Sequence, residues 1–239
     1  MLDRPSLQNT AAMPVAGTLA ADARVSTFLR RVYGWMFVGL AITAVVALLV
    51  ASSPALIQAI FGNQLLFWGL VIAELALVFF ISARVGSLAP AAAAGLFVLY
   101  SALNGATLAL ILLIYTGASI ASAFFVASGM FGALALYGTV TRKSLAGWSS
   151  FLFMGLIGVV LASVVGIFWQ NSALQFVLGV AGVIVFTGLT AYDAQRLKVM
   201  ALELPDGRVA TYAVSGALSL YLDFINLFLS LLRLFGSRR

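Results

Sequence analysis

Seven apolar stretches of about 20 residues recur between residue 32 and the C-terminus, each long enough to cross a hydrocarbon core of about 30 Å. In lipid every backbone amide and carbonyl must be bonded within the protein, which leaves only helices and closed barrels as spanning structures. A barrel would alternate apolar and polar residues over segments of about ten. Here the runs are continuous, and the whole chain is 63% hydrophobic and 8% charged, well outside the mix of a soluble domain. The expected fold is an all-α membrane protein, a seven-transmembrane-helix bundle. The spans are predicted at about 32–51, 65–83, 88–112, 118–140, 150–169, 173–198 and 209–235. Residues 1–27 are small and polar, lack the apolar core of a signal peptide, and are expected to be a flexible cytoplasmic tail ahead of a transmembrane domain over 28–239.

Charge sets the expected orientation. Arg24, Arg30 and Arg31 precede the first span, Arg84 follows the second, and Arg142 and Lys143 follow the fourth. Arg196, Lys198 and Arg208 belong to the connection between the sixth and seventh. The alternate connections SSPALIQAIFGNQ, YTGAS and WQNS carry no charge. Every second loop is basic, so the positive-inside rule places the N-terminus in the cytoplasm. The net charge of +6 is thereby a topology signal and needs no nucleic acid. Arg238 and Arg239 dissent, because seven crossings put them outside; the length of 209–235 nevertheless favours a full span.

The chain has no Cys and no His. Thiolate chemistry, Fe–S ligation and imidazole acid–base or metal chemistry are excluded. Any ion or proton chemistry must rest on carboxylates, hydroxyls, Lys or Arg.

Two of the seven acidic residues stand inside predicted spans near the C-terminus, Asp193 in VIVFTGLTAYDAQRLK and Asp223 in GALSLYLDFINLFLSLL. A carboxylate near mid-bilayer costs about 2.5–3.5 kcal/mol on insertion scales and marks an ion path or proton relay by default. The run Leu204-Pro205-Asp206-Gly207 reads as a turn. In an antiparallel hairpin about it, Asp193 lies 13 residues before Asp206 and Asp223 17 after, at depths of about 20 and 25 Å. The two carboxylates then approach within a side-chain length, provided the sixth helix runs past the membrane and Arg196 and Lys198 snorkel to the interface. Gly216, Ser219, Asn226, Ser230 and Arg233 form one small, polar stripe around Asp223, and Gly179, Gly182 and Thr190 another near Asp193.

Two such carboxylates in a low dielectric cannot both ionise cheaply, so the pair is expected to share one proton near neutral pH and to titrate as a unit. Such a dyad suits a proton relay, a cation site or an aspartyl protease. As a calcium site it supplies too few oxygens, and backbone carbonyls, Asn226 or water must complete the shell; weak, incomplete binding suits passage better than storage. Glu74, mid-span in LVIAELALVFF, is a third candidate expected to face the bundle. Arg84 ends the same helix and reads either as an interfacial anchor or as a counter-ion to the dyad.

The runs VYGWMFVGL (32–40), GMFGALALYG (129–138), FTGLTAYDAQRLK (186–198) and LSLYLDFINLFLSLLRLFG (218–236) resemble the Bax inhibitor-1 family, also called TMBIM, whose bacterial members are the YccA-like inner-membrane proteins. The resemblance covers residues 30–239. It implies a bundle whose last helix is central, wrapped by the other six, and a pH-sensitive calcium leak. The family's paired aspartates fall on Asp193 and Asp223, as cation-binding and pH-sensing groups. A family arginine on the second helix, which can hold the closed state, corresponds to Arg84. Read from their places in the predicted helices, Glu74, Asn226 and Ser219 are further candidates to line the site.

The expected function is therefore a pH-sensitive cation (calcium) leak channel in a bacterial inner membrane, gated by the dyad, with no catalytic residues and no cofactor. An alternative is a regulatory membrane protein that binds a partner such as a membrane protease through the tail at 1–27. A third is an intramembrane aspartyl protease of the presenilin type, but Leu-Tyr-Leu-Asp replaces Gly-x-Gly-Asp around Asp223 and no Pro-Ala-Leu follows.

Overall fold

The computed structural model describes residues 12–169 and 171–239, and the described chain is a helical bundle without strands. Seven helices are long and apolar enough to cross a membrane: α1 (Ala12–Ser52), α3 (Gln64–Arg84), α4 (Pro90–Ile114), α5 (Gly117–Val140), α6 (Ser149–Phe168), α7 (Ser172–Glu203) and α8 (Val209–Phe235). A short helix, α2 (Pro54–Phe61), lies between α1 and α3. It occupies the uncharged segment expected to be a loop. Ser53 caps it ahead of Pro54 at the first helical position, where a missing amide proton costs nothing. Asn63 then caps α3, its Oδ1 accepting from the Leu65 and Leu66 amides at 3.1 and 3.2 Å.

α8 is the axis of the bundle. In its most apolar window 61% of residues are buried, against 6–33% in the other six spans. It packs on α1, α4, α5 and α7, with α3 touching it more lightly. The expectation that all six other helices wrap it is corrected in one respect: α6 packs on the outer side of α7 and makes no extensive contact with α8.

Both ends of the chain depart from the sequence reading. The tail expected over 1–27 is helical from Ala12 onward and continuous with the first span; residues 1–11 lie outside the described residues. Val25 and Phe28 pack into the core. Arg24 donates from Nε to the Ala201 carbonyl at 2.8 Å and from its guanidinium to the Leu204 carbonyl, satisfying carbonyls left open where α7 ends. Lys198 does the same for α5, its ammonium 2.7 Å from the Thr139 carbonyl. α7 thus runs past the expected limit of 198, as the depth argument required. At the other end, residues 237–239 lie along the α4–α5 connection. Thr116 donates its amide to the Ser237 carbonyl at 3.1 Å and Arg239 its amide to the Ile114 carbonyl at 2.9 Å. The C-terminus therefore sits beside an uncharged connection, opposite the basic loops, and the seventh crossing is complete.

Close helix crossings depend on missing side chains. A Cβ at Gly138 would strike the Ala191 backbone, and one at Gly182 would strike the Ser230 side chain. Gly138→Val should destabilise the protein by roughly 1–3 kcal/mol, as overpacking does, read as a lower thermal midpoint in detergent. Gly129→Val, where nothing lies within 4 Å, should leave the midpoint nearly unchanged.

Candidate functional site: a carboxylate pair on the central helix

α7 and α8 form the antiparallel hairpin that the Leu204–Gly207 turn implies, and their register is fixed by two small-residue contacts. Gly182 faces Ser230 at one level and Gly216 faces Leu197 at another. These contacts bracket the aspartates and set Asp223 level with about Thr190, one turn of helix from Asp193. Both glycines belong to the two stripes read from the sequence, so the stripes are a packing seam that brings the carboxylates together.

The two acids have different surroundings. Asp223 is 5% exposed, and no side chain or backbone group bonds to its Oδ2. Its electrostatic neighbour is Asp193. Asp193 is half-buried and lines a cavity of about 30 Å3, with Arg196, Leu197 and Met200 from α7 and Ser215, Gly216 and Ser219 from α8. That volume holds a water molecule or two, and the cavity lies on the side of the basic α7–α8 connection. An unbonded buried carboxylate oxygen is rare, because desolvation without a partner is expensive. Here it faces a second acid.

The other predicted residues fall as follows. Ser219 lines the cavity. Asn226 lies three residues past Asp223, but its amide donates to the Leu222 carbonyl of its own helix at 2.8 Å, and it is not part of the cavity lining. Arg84 is exposed at the C-terminal end of α3 and forms no ion pair with the dyad. The basic group whose charge acts on Asp193 is Arg196, three residues further along α7 and part of the same cavity lining. Among the described residues no three acidic side chains cluster to hold a metal ion.

Glu74 is not at the dyad, and it has partners that sequence reasoning missed. Asn104 Nδ2 donates to its Oε2 at 3.0 Å and Thr107 Oγ1 to its Oε1 at 2.9 Å. Asn104 Oδ1 in turn accepts from the Tyr221 hydroxyl at 2.9 Å, and Thr43 Oγ1 lies 2.6 Å from that hydroxyl. Tyr221 is fully buried, with Phe97 and Tyr100 edge-on at 5.8 and 5.7 Å. A polar chain thus runs from α3 through α4 to α8 and α1. It meets the central helix two residues from Asp223, on the face turned away from α7. The signal for it was the pair Asn104 and Thr107, three apart in a mostly apolar helix.

A helical membrane protein with a central last helix, and with two facing carboxylates where that helix meets its predecessor, is the class defined by this fold and site. The comparisons narrow it. Residues 25–239 match the family described as "Inhibitor of apoptosis-promoting Bax1", and the chain belongs to the Bax inhibitor-1 family. It is 50% identical over 220 residues to the inner membrane protein YbhL of Escherichia coli K12, covering 91% of this chain and 94% of that one. It is 42% identical to an uncharacterized protein of Borreliella burgdorferi over 214 residues, 89% and 92% of the two chains. An uncharacterized Caulobacter vibrioides protein is 40% identical over 232 residues, 92% of each.

The hydrogen-bond chain gives a test. Asn104→Leu strips partners from both Glu74 and Tyr221 and should cost about 1–3 kcal/mol per stranded group, seen as a fall in the thermal midpoint in detergent. Glu74→Gln, whose amide can still face both Asn104 and Thr107, should lose far less.

Proposed function

We propose that this protein is a pH-sensitive cation leak, with calcium as the ion carried, gated by protonation of the Asp193–Asp223 pair. The observation that carries this reading is Asp223: a carboxylate on the most buried helix, one oxygen unbonded, facing a second acid across a glycine-lined seam. A purely structural role offers no gain to offset its desolvation, whereas a group that exchanges a proton or an ion needs this isolation.

The chemistry follows from charge. With one proton between them the acids carry a single negative charge, which Arg196 balances from the cavity side. A divalent cation entering from the α7–α8 end must displace both the proton and Arg196. Full protonation removes the attraction for Arg196 and shifts the population between closed and open packings of α8. Two carboxylates with the Ser215 and Ser219 hydroxyls make a sparse oxygen set, which favours release over retention. This reading assigns no enzymatic activity and no cofactor. It places the protein in a bacterial inner membrane, by similarity to YbhL, with the N-terminus and the basic connections in the cytoplasm.

One observation favours a second, compatible role in binding a membrane-protein partner such as a protease. α1 continues N-terminally beyond Arg24, and Leu19 on that extension is 64% exposed.

Calcium flux into proteoliposomes between about pH 5 and 8, the range where a carboxylate pair sharing a proton titrates, tests the proposal. Wild-type flux should vary with pH, and Asp223→Asn should abolish that variation. Because a carboxylate must lose its proton to bind a metal, apparent calcium affinity should fall as pH falls. Flux no greater than that of empty vesicles at every pH would refute the leak.

A further inference from the structure

α1 and α5 both pack on α8 but make no extensive contact with one another, and α5 likewise stands off α4. Between them is an apolar crevice of about 230 Å3. Ala44 and Ala47 form its α1 wall, Leu108 and Leu112 its α4 wall, Phe124 its α5 wall and Phe228 part of its α8 floor. It belongs to the half of the bundle that contains the α4–α5 connection and the C-terminus. The rim opens sideways, with Leu48 61% and Phe124 48% exposed, at the depth of the hydrocarbon core.

Three properties define what fits. The lining is apolar except for the Thr43 hydroxyl, which already lies 2.6 Å from Tyr221 and 2.9 Å from the Ser101 carbonyl. Water therefore finds too few partners to settle there. A dry cavity of roughly 150 Å3 with Leu, Ile and Phe walls is enough to take up benzene, so this one admits a substantial apolar group. At this depth the surrounding medium is hydrocarbon chain, and a chain that enters restores the dispersion contacts missing from the walls.

We infer that the crevice seats one acyl chain of a bilayer phospholipid, wedged between α1 and α5 against α8. The inference is independent of the leak. Its consequence is that the lipid leans on Phe224, the residue after Asp223, so the occupant touches the same turn of the central helix as the carboxylate pair.

The full-length protein, reconstituted with a phospholipid carrying a mid-chain photoreactive diazirine, tests this by peptide mapping. Labelling should concentrate on the lining segments of α1, α5 and α8. It should fall several-fold there in Ala44→Phe, which fills the crevice from an exposed position without disturbing the core. Ile72→Phe, on the lipid-facing surface of α3, should leave it unchanged. The same preparations in native mass spectrometry should retain one phospholipid for wild type and none for Ala44→Phe. Labelling spread evenly over all exposed helix faces, equal labelling of Ala44→Phe, or retention of a protein partner in place of lipid would each overturn the assignment.

Discussion

The carboxyl group of Asp223 has to be reconciled with a helix that is otherwise the apolar core of the protein. Its Oδ2 is buried, and the helices around it offer no donor to that oxygen. What the bundle supplies is a second acid, one helical turn away along the neighbouring helix. The seam that allows this is built from absent side chains, Gly182 against Ser230 and Gly216 against Leu197. The long α7, the tight turn after it and the central place of α8 all serve that juxtaposition. Both acids thereby face the seam between the sixth and seventh crossings.

The two sides of α8 are differently built. The side facing α7 holds the acids, Arg196 and a water-sized cavity near the basic end of the bundle. The opposite side holds a hydrogen-bond chain, Tyr221 to Asn104 to Glu74, which ties α8 to α4 and α3 through directional contacts. Hydrogen bonds of this kind fix rotation and register more effectively than apolar packing, which tolerates sliding. Toward the C-terminal end of α8, the crevice between α1, α4 and α5 is walled by apolar side chains apart from the Thr43 hydroxyl.

Much of this was legible in the residues. Apolar run length and the alternation of basic and uncharged connections gave seven spans, most of them to within a few residues, and depth arithmetic about Pro205 brought the two aspartates together. What escaped was tertiary or short. α2 is eight residues without charge, and only Ser53–Pro54 announces it. The N-terminal residues of α1 are small and polar, and the docking of Arg24 and Phe28 on distant segments has no local signature. Glu74 finds partners thirty and thirty-three residues away, beyond any helical spacing. Arg84 and Arg196 were both in view; the resemblance drew attention to the first, while the second stood at the i+3 position from Asp193, where helix geometry places it on nearly the same face.

The central claim is that Asp193 and Asp223 share one proton which a cation displaces. Infrared difference spectroscopy of the reconstituted protein at neutral pH, with and without added calcium, addresses it directly. The account predicts a protonated carboxyl C=O band that disappears when calcium is added, is absent from Asp223→Asn and is shifted in Asp193→Asn. A band that ignores calcium, or spectra in which both acids titrate as independent surface carboxylates, would contradict it.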